Sequence, residues 1–524
     1  MAIGPVQLFR LAQAGFVLAR EGAFSIVEID DLPAGAALGV RFARLFERRR
    51  ARKEDRGARI SAALNRLGPS YVKLGQFMAT RADVVGQDVA DALGKLRDEI
   101  EPFGEPAARA TIAQNFGRPT EAIFAAFSPP VAAASIAQVH KAELVEADGR
   151  RVAVAVKVLR PGVRGRFRRD LSTFYAGAEL ANAFDPQMQR LKPVAVVDIL
   201  ARSVSMEMDL RLEAAALSEM AERTSGDPGF RVPKVYWAQT ARDVLTLEWI
   251  DGVKLSDPAG IAAAGHDPKD VARRLMQAFL RHAMRDGFFH ADMHQGNLFV
   301  DAAGDVVAVD FGIMGRLGLA ERRFLAEILY GFIRRDYLRI AEVHIEAGYV
   351  PPRHAAEDFA QALRAIGEPI HGQPARDISM AKLLTLLFEV TELFDMQTRP
   401  ELLMLQKTMV VVEGVARSLD SDFDMWSASE PVVRDWIEQN LGPMGQLSQA
   451  ASGLGEFGRA AARLPSLIEH GTRVAAQLDA ATRDGITLSP ETVAAIGRAE
   501  GRGNRWLAIG VWVVAALLAY LALR

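Results

Sequence analysis

The chain of 524 residues is long enough to fill two lobes and appended segments, since 50% of its residues are apolar. Its net charge of -2 gives no general electrostatic reason to expect binding to nucleic acid. It contains no cysteine, which excludes disulfides, thiolate metal sites and cysteine nucleophiles.

The N-terminal region predicts no secretory signal peptide but contains a strongly basic stretch. Arg10 interrupts the first apolar run, and no basic segment precedes that run. Residues 41 to 56 mix apolar side chains with many positive charges, which predicts either a helix lying on anionic lipid or a solvated linker helix. The residues concerned are Phe42, Leu45 and Phe46 with Arg41, Arg44, Arg48, Arg49, Arg50, Arg52, Lys53 and Arg56.

A row of alanines precedes the first predicted strand. The row is Ala132, Ala133 and Ala134, and Ser135 follows it. They stand directly before the strand-like run from Ile136 to Leu144, which favours a loop over the alternative of an alanine-rich helix. If this loop covers a nucleotide, as the motifs further along the chain predict, its backbone N–H groups remain as donors, but alanine restricts the backbone more than glycine does. We therefore expect nucleotide phosphates to be held differently than under a glycine-rich loop.

The next predicted strand, Arg151 to Val158, contains one lysine among alternating Val and Ala residues. Ala155-Val156-Lys157 resembles the strand motif whose ammonium holds the α- and β-phosphates of a nucleotide in protein kinases. The alternative is a strand lysine that extends to solvent. We expect the carboxylate partner of such a lysine on the helix predicted from Val194 to Arg223. The acids available on that helix are Glu207, Asp209 and Glu213.

A second strand-like run extends from Val244 to Ile250. In a two-lobed kinase-like chain, the end of this run forms the hinge between the lobes. We therefore expect the backbone from Glu248 to Ile250 to receive the adenine base.

The stretch from His290 to Asn297, together with Asp310-Phe311-Gly312, resembles a phosphoryl-transfer centre. Kinases use an Asp beside the attacking group, an Asn five residues later and a second metal-binding Asp in D-F-G. Asp292, Asn297 and Asp310 reproduce this order, with a turn and a short apolar strand before Asp310. We expect Asp292 to act as the base or to orient the nucleophile, and Asn297 and Asp310 to bind Mg²⁺.

The segment after D-F-G is short. Ala320 to Leu325 predicts an amphipathic helix a few residues after Gly312, and no Ala-Pro-Glu follows. Protein kinases have a long activation segment between these motifs, which helps to dock a peptide. The sequence therefore predicts that the platform for peptide substrates is absent.

The C-terminal region divides into a polar helical part and an apolar end. Residues from about 421 to 503 predict mostly helix. Trp506 to Leu523 carries no charge and reaches the minimum for a transmembrane helix, roughly 17 residues; the alternative is a buried core helix. Arg498, Arg502 and Arg505 precede this run and only Arg524 follows, so the positive-inside rule leaves the preceding region in the cytoplasm.

Two competing motifs have the wrong context. Gly453 to Gly458 matches the dinucleotide pattern G-x-G-x-x-G, but no strand is predicted before it. His290 and His294 have a helical spacing that suits zinc, but the H-E-x-x-H motif is absent. We therefore favour neither a flavin or nicotinamide site nor a zinc site.

Together, these motifs resemble the UbiB family of atypical kinase-like proteins, which is associated with ubiquinone biosynthesis. The matching motifs are Lys73-Leu74-Gly75-Gln76 (K-x-G-Q), the alanine-rich loop, Glu207-Met208-Asp209 (E-x-D) and His290 to Asn297 (H-A-D-x-H-x-G-N). A later segment, Arg399 to Gly414, is also similar. The resemblance covers roughly residues 60 to 420.

The resemblance implies a role for the apolar helix that carries Lys73, Gly75 and Gln76. In the family this segment folds over the active site and obstructs protein substrates. Lys73 would pair with Glu207 of E-x-D, the motif that also contains Asp209, while Lys157 would pair with Glu213. The alanine-rich loop is implicated in altered nucleotide preference and in suppressed phosphorylation of protein.

We therefore expect an α+β, two-lobed protein-kinase-like fold with helical N- and C-terminal extensions and a C-terminal transmembrane helix. The expected segments are 1–59 (basic N-terminal extension), 60–250 (K-x-G-Q segment and N-terminal lobe), 251–420 (C-terminal lobe), 421–505 (helical tail) and 506–523 (transmembrane helix).

The expected activity is Mg²⁺-dependent binding of ATP or ADP, with ATP hydrolysis or phosphorylation of a small or lipid-like substrate. It would support ubiquinone biosynthesis at the bacterial inner membrane. Expected partners are the nucleotide, membrane lipid, and quinone-synthesis enzymes or polyprenyl-phenol intermediates, but no nucleic acid. The alternatives are a non-catalytic pseudokinase scaffold for those enzymes and a polyprenylphenol hydroxylase.

Overall fold

The computed structural model describes residues 4–25, 34–48, 56–79, 89, 93, 101–184, 192–368, 390, 393–396 and 400–442. The chain divides into one compact unit from Met1 to Ile437 and a second from Glu438 to Arg524. The fold and the site described below belong to the first unit.

In the described part of the chain, strands form three small sheets. The strands are β1 (Ala126–Ala133), β2 (Ala137–Val145), β3 (Arg151–Leu159), β4 (Phe230–Arg231), β5 (Val244–Glu248), β6 (Gly252–Lys254), β7 (Phe288–His290), β8 (Leu298–Asp301), β9 (Val306–Ala308) and β10 (Met314–Arg316). Their orders are β1-β2-β3-β5 in the N-terminal lobe, and β4-β9-β8-β6 and β10-β7 in the C-terminal lobe.

Helices account for most of the remaining described residues. They are α1 (Pro5–Arg20), α2 (Ala34–Arg44), α3 (Arg56–Leu67), α4 (Pro69–Ala79), α5 (Glu105–Phe116), α6 (Val163–Phe184), α7 (Pro193–Glu207), α8 (Leu210–Arg223), α9 (Pro258–Ala263), α10 (Pro268–Arg281), α11 (Leu319–Arg334), α12 (Tyr337–Glu346), α13 (Ala356–Gly367), α14 (Pro400–Leu419) and α15 (Met425–Asn440).

Strand β3 shows how the sequence positions the site. Because side chains alternate between the two faces of a strand, Val154, Val156 and Val158 all point to one side. These three valines are fully buried in an apolar cluster with Ile112 of α5. Lys157 therefore faces the cleft between the lobes.

The sequence predicts one helix from Val194 to Arg223, but the structure has two, so the prediction of a continuous helix is wrong. Helix α7 ends at Glu207 and α8 begins at Leu210. Asp209 accepts a hydrogen bond from the backbone N–H of Arg211 at 3.2 Å and caps α8. An Asp side chain competes with helical backbone bonds but satisfies a free N–H at a helix start, which explains the break at this residue.

The C-terminal lobe is organised around the buried helix α10. Asp267 caps it through the N–H of Lys269 at 3.0 Å, and Pro268 occupies its first turn, where no N–H partner is needed. Its buried residues recur at helical spacing along one side, with α14 packed beside it. A π-helical turn, His282–Asp286, then leads into β7. This arrangement delivers the chain to His290 at the cleft.

Among the described residues, no helix is long and apolar enough to cross a membrane. The predicted transmembrane segment, residues 506 to 523, lies outside the described residues, as does the G-x-G-x-x-G sequence at 453 to 458. Of the tail predicted to be helical from residue 421, α15 is described and is helical.

Candidate active site

Three charged side chains meet at the centre of the cleft. The Lys157 ammonium contacts both oxygens of Glu213, at 2.8 and 3.0 Å, and the Oδ1 atom of Asp310 at 3.0 Å. Glu213 lies in the first turn of α8, and Asp310 follows β9. The predicted pairing of Lys157 with Glu213 is therefore confirmed. The alternative, a strand lysine that extends to solvent, is wrong.

The Lys157 ammonium stabilises the charge on both carboxylates, and they stabilise the charge on Lys157. Burial disfavours the charge on Lys157, but the carboxylates of Asp310 and Glu213 outweigh burial and raise the pKa of this lysine. Burial also opposes ionisation of Asp310, yet Lys157 holds the pKa of this carboxyl well below its usual range, with a smaller contribution from Lys73. Lys157 is thus cationic and Asp310 anionic at neutral pH.

The backbone of Asp310 adopts an uncommon conformation. Its φ angle is 62°, in the left-handed region that Asp and Asn tolerate better than other non-glycine residues. Strained residues of this kind cluster at functional sites. Here the turn directs the Asp310 carboxylate back to Lys157, and its side chain remains half-exposed to the cleft.

His290 organises the loop that carries Asp292. Its Nδ1 atom accepts the backbone N–H of Asp292 at 3.0 Å, so Nε2 carries the proton and donates to the carbonyl of Val309 at 3.2 Å. The ring is buried, and burial lowers its pKa, which keeps it neutral. His290 therefore ties the catalytic loop to the residue directly before Asp310.

Both histidines of this loop are engaged in backbone contacts. The Nδ1 atom of His294 accepts the N–H of Gly296 at 3.0 Å, and His294 precedes a short 3₁₀ turn rather than lying on an α-helix. Its Nε2 atom lies 3.8 Å from the Asp292 carboxylate. The helical spacing that suits zinc is therefore coincidental here, since His290 and His294 do not share a helix face.

Asn297 and Asp310 offer oxygen ligands suited to Mg²⁺. The Asn297 amide donates through Nδ2 to the carbonyl of Asp292 at 3.2 Å, which leaves Oδ1 as its acceptor end. Asp310 uses one carboxylate oxygen for Lys157. Within the described residues, no group of three or more His, Asp or Glu side chains could hold a metal ion alone. A bound Mg²⁺ would complete its shell with phosphate oxygens and water, as Mg²⁺ commonly does.

The alanine-rich segment forms the end of a strand and a tight turn. Ala132 and Ala133 belong to β1 and pair with Val139 and Gln138, so the prediction that they lie in a loop is wrong. The turn is closed by the N–H of Ala134, which donates to the carbonyl of Ala137 at 2.8 Å. A strand end suits alanine because it needs no positive φ, and none occurs from residue 132 to 135.

Arg160 fixes this turn and had no signal in the sequence. Its guanidinium donates to the carbonyls of Glu101 at 3.0 Å and Ala134 at 3.4 Å, and its backbone N–H donates to Ile136 at 2.7 Å. It also stacks over the Phe103 ring at 5.1 Å. The turn above the cleft is therefore held by a side chain from the end of β3.

A second ion pair lies next to the first. Lys73 of α4 contacts Glu207 at 2.8 Å, and both side chains are largely buried, so this predicted pairing is confirmed. The predicted K-x-G-Q helix is α4, in which Gly75 is buried and Gln76 half-buried. Burial raises the pKa of Glu213 against the opposing effect of Lys157, and the nearby carboxylates of Asp310 and, to a smaller extent, Glu207 add to the rise. The two pairs thus form one electrostatic network.

Asp209 differs from Glu207 within the same E-x-D motif. Its carboxylate is occupied by Arg211 at 2.6 Å and by the helix cap described above. These hydrogen bonds from Arg211 lower the pKa of Asp209. Its evident contribution is to end α7 beside Glu207 and begin α8 beside Glu213.

The predicted hinge, the backbone from Glu248 to Ile250, begins at the last residue of β5. The Glu248 N–H already donates to the carbonyl of Lys234 at 2.8 Å, and its side chain contacts Arg231 at 3.0 Å. An adenine base cannot use the same N–H. The predicted contact of adenine with the backbone from Glu248 to Ile250, which ends two residues after β5, stays a prediction.

Helix α14 supports the catalytic loop, through two residues that sequence reasoning did not single out. The buried Thr408 hydroxyl donates to the carbonyl of Ala291 at 3.1 Å. The Ser418 hydroxyl accepts a hydrogen bond from Gln295 at 2.8 Å. Helix α14 therefore contacts the chain on both sides of Asp292, at Ala291 and at Gln295.

The segment after D-F-G agrees with its prediction. Residues 313 to 318 are all that separate Gly312 from α11, and β10 within them pairs with β7. This leaves no extended activation segment.

The protein is protein-kinase-like. This class is defined by its two lobes, its lysine–glutamate pair and its two acidic loops.

Comparison with known proteins gives the family. Residues 95–344 match the ABC1 atypical kinase-like domain, and residues 363–424 match the UbiB helical domain. The chain is 38% identical over 421 residues to a probable protein kinase UbiB of Marinobacter nauticus, covering 79% of this chain and 76% of the relative. A protein of the same description from Xanthomonas campestris is 37% identical over 423 residues, with 79% and 76% covered. The chain belongs to the UbiB family, as its motifs predicted.

A solved structure has a similar fold. The complex of Rv3197 with erythromycin from Mycobacterium tuberculosis has a TM-score of 0.51 and 25% sequence identity to this chain. The similarity covers 70% of this chain and 93% of that chain.

Proposed function

We propose that this protein binds ATP or ADP with Mg²⁺ and catalyses phosphoryl transfer to water or to a small or lipid-like acceptor. The observation that carries the proposal is the convergence of Lys157, Asp292, Asn297 and Asp310 on one cleft in a kinase-like fold. A scaffold that binds no nucleotide has no need for a lysine, an acidic loop and two oxygen ligands in this order.

Lys157 would hold the nucleotide phosphates. Its ammonium has three protons, and the contacts to Glu213 fix its orientation from one side. Phosphate oxygens would take over the position of the Asp310 oxygen at 3.0 Å. Asp310, released from this contact, would then turn both oxygens towards the metal.

Asn297, in the turn before β8, and Asp310, after β9, would hold Mg²⁺. When bound, Mg²⁺ supplies neutralisation of the charge that develops on the transferred phosphoryl group. The Asp292 side chain is 40% exposed, so its carboxylate is accessible to an acceptor. It would orient the attacking hydroxyl or water and accept its proton.

A non-protein acceptor is supported by what surrounds the cleft. Only residues 313 to 318 connect D-F-G to α11, so the surface on which kinases dock peptides is missing from the described residues. Helix α4 is held beside the cleft by the Lys73–Glu207 contact. In keeping with the family, we assign the activity to ubiquinone biosynthesis, with quinone-synthesis enzymes or polyprenyl-phenol intermediates as partners.

A pseudokinase scaffold for those enzymes is the second candidate. The helical region from α12 to α15 would provide its binding surface. The intact set of catalytic residues favours catalysis over this alternative.

We also propose that residues 506 to 523 anchor the protein in the bacterial inner membrane with the kinase-like unit in the cytoplasm. The run carries no charged residue and is preceded by basic residues.

The test is nucleotide turnover by the full chain in lipid nanodiscs, with and without quinone-like phenols. We expect Mg²⁺-dependent release of ADP from ATP, reduced at least a hundredfold in Asp292→Asn, roughly the contribution of a general base. Asp148→Asn, in the exposed turn between β2 and β3, is the matched control and should retain full activity. Equal turnover in wild type and Asp292→Asn would remove the catalytic assignment. Bound flavin with no nucleotide binding would instead support the hydroxylase.

A further inference from the structure

Helices α1 and α2, together with the two residues that follow α2, expose a cluster of large apolar side chains, most of them aromatic. Phe9 is 71% exposed, Phe42 62% and Leu45 75%, although each is a large apolar residue. The Phe46 ring contacts Phe42 and Phe16, with centroids 5.2 and 6.0 Å apart. Phe9 lies two turns before Phe16 on the same side of α1. We call these five residues the N-terminal aromatic face.

This face is directed away from the rest of the kinase-like unit. Helix α1 packs against α6, and Ala14 and Ala19 are among its buried residues. Leu11 lies against Gly177 of α6, so α1 has apolar residues both on the side next to the protein and on the side that faces outward. A water-exposed helix ordinarily has polar residues on its outer side. Contiguous exposed apolar surfaces mark sites for protein, ligand or membrane.

Two exposed arginines lie at the edge of the face. Arg20 is exposed and lies over the Phe16 ring at 5.9 Å, and Arg41 is exposed beside Phe42. In residues 4–25 and 34–48, the acids are Glu21 and Glu47.

Both of these acids are neutralised by arginines. Glu21 contacts Arg48 at 3.0 Å and Arg66 at 2.9 Å, while Glu47 contacts Arg59 at 2.8 Å. Within residues 4–25 and 34–48, the exposed charge beside the aromatic face is therefore positive. That combination favours an anionic surface.

We propose that the N-terminal aromatic face is a peripheral docking surface for an anionic lipid bilayer. Phe9, Phe42 and Leu45 enter the headgroup region, where aromatic and aliphatic side chains gain apolar contact. Arg20 and Arg41 contact lipid phosphates at its edge. A second copy of this chain is disfavoured as the occupant, because it would bring two positive borders together.

This surface is separate from the predicted anchor and from the nucleotide site. An anchor at residues 506 to 523 attaches the chain to the membrane but does not orient the kinase-like unit. The aromatic face would fix that orientation through α1 and α6. The inference goes beyond phosphoryl transfer and does not depend on it.

The absence of cysteine allows a direct test with the full chain. Single substitutions Phe9→Cys and Leu45→Cys are labelled with an environment-sensitive fluorophore. Leu319→Cys is the matched control, because Leu319 is 77% exposed on α11 in the C-terminal lobe. Each protein is placed, one copy per disc, in nanodiscs of phosphatidylcholine with or without phosphatidylglycerol. Lipids that carry a quencher report contact with the bilayer.

We expect blue-shifted emission and lipid quenching at positions 9 and 45 in discs with phosphatidylglycerol, and neither at 319. Arg20→Gln and Arg41→Gln should each reduce the docked-to-free ratio roughly fivefold, the effect of one basic residue near an anionic surface. Nucleotide binding, measured on the same samples, should not change, so this test and that of the proposed function fail independently.

Two results would overturn the proposal. Equal quenching at positions 9, 45 and 319, or no quenching at any of them, would show that the N-terminal aromatic face is not a specific lipid-binding surface. A blue shift at positions 9 and 45 without lipid quenching means that another part of the chain covers the face.

Discussion

The Lys157 ammonium lies 3.0 Å from the carboxylate of Asp310, a residue 153 positions later in the chain. One belongs to the sheet of the N-terminal lobe and the other to a loop of the C-terminal lobe. Their contact closes the cleft at the position where nucleotide phosphates and Mg²⁺ are proposed to bind. Ligand binding must therefore replace an existing ion pair.

The largely buried pair between Lys73 and Glu207 should stabilise the fold as a unit. We expect Lys73→Met and Glu207→Gln each to lower the free energy of unfolding by about 2 kcal/mol, because each leaves a partner without its counter-charge. The double variant should lose less than the sum. Denaturant unfolding of all four proteins measures this coupling.

The exposed pair Arg434–Glu430 on α15 is the control for this comparison of single and double variants. Its atoms are 3.8 Å apart and both side chains are about half-exposed. Arg434→Met and Glu430→Gln should change stability by less than about 0.5 kcal/mol. Additive losses at Lys73 and Glu207 would contradict an electrostatic link between α4 and α7.

The sequence was sufficient for much of this site because its motifs are local or periodic. Alternation along β3 identifies the side of the strand on which Lys157 lies, and the interval from Asp292 to Asn297 defines one short loop. The short segment before α11 was also predictable, since a helix pattern follows directly after Gly312.

The remaining features depend on contacts between distant segments. The Glu248 N–H is used by Lys234, and Thr408 reaches Ala291 across 117 positions, neither of which leaves a pattern in the sequence. The break at Asp209 had a local cause, because Asp favours a helix start. An apolar pattern continuing on both sides concealed it.

The turn after β1 should control nucleotide preference. Ala134→Gly is the informative change, because Ala134 closes the turn whereas Ala133 is paired in a strand. Glycine adds backbone freedom near the phosphates, so the ratio of ATP to ADP affinity should shift severalfold. Calorimetric titration with both nucleotides measures it.

Ala147→Gly, in the turn between β2 and β3 at the other end of the same sheet, is the matched control. It should leave both affinities unchanged. Identical nucleotide selectivity in Ala134→Gly and wild type would mean that this turn does not contact the phosphates.

Acid should destabilise the protein through His344, a half-buried histidine of α12. Burial lowers the pKa of His344, although its hydrogen bond to the carbonyl of Ile340 at 2.7 Å opposes the shift. Since an unfolded histidine is protonated below about pH 6.5, the unfolded chain binds more protons there. The stability that His344 contributes is complete above that pH and is lost as pH falls below it.

His344→Leu should therefore lose less stability than wild type between about pH 7.5 and 5.5. Denaturant unfolding at several pH values provides the comparison. Parallel stability curves for the two proteins would show that this histidine does not titrate differently on folding.

Deletion of residues 506 to 524 should release the protein from membranes and leave nucleotide binding largely intact. An apolar helix satisfies its backbone within lipid, and the proposed nucleotide ligands all lie between residues 132 and 312. Membrane fractionation and nucleotide titration measure the two effects. If some of the shortened protein stays on membranes at low salt and is released by high salt, that attachment would point to the N-terminal aromatic face and its basic border.

Leu517→Arg and Leu517→Ile form a matched pair for this prediction, because only the arginine puts a charge at the centre of the run. Aggregation of the shortened protein, or loss of its nucleotide binding, would mean that this segment belongs to the folded core.

The most direct measurement is calorimetric titration of the full chain with ATP in the presence and absence of Mg²⁺, comparing wild type with Asp310→Asn. The substitution replaces a charged oxygen ligand with a neutral amide at a hard cation. We predict at least about tenfold weaker Mg²⁺-dependent binding, equivalent to about 1.4 kcal/mol, with Asp148→Asn unchanged. The same affinity and the same dependence on Mg²⁺ in both proteins would contradict the assignment of this cleft as a metal–nucleotide site.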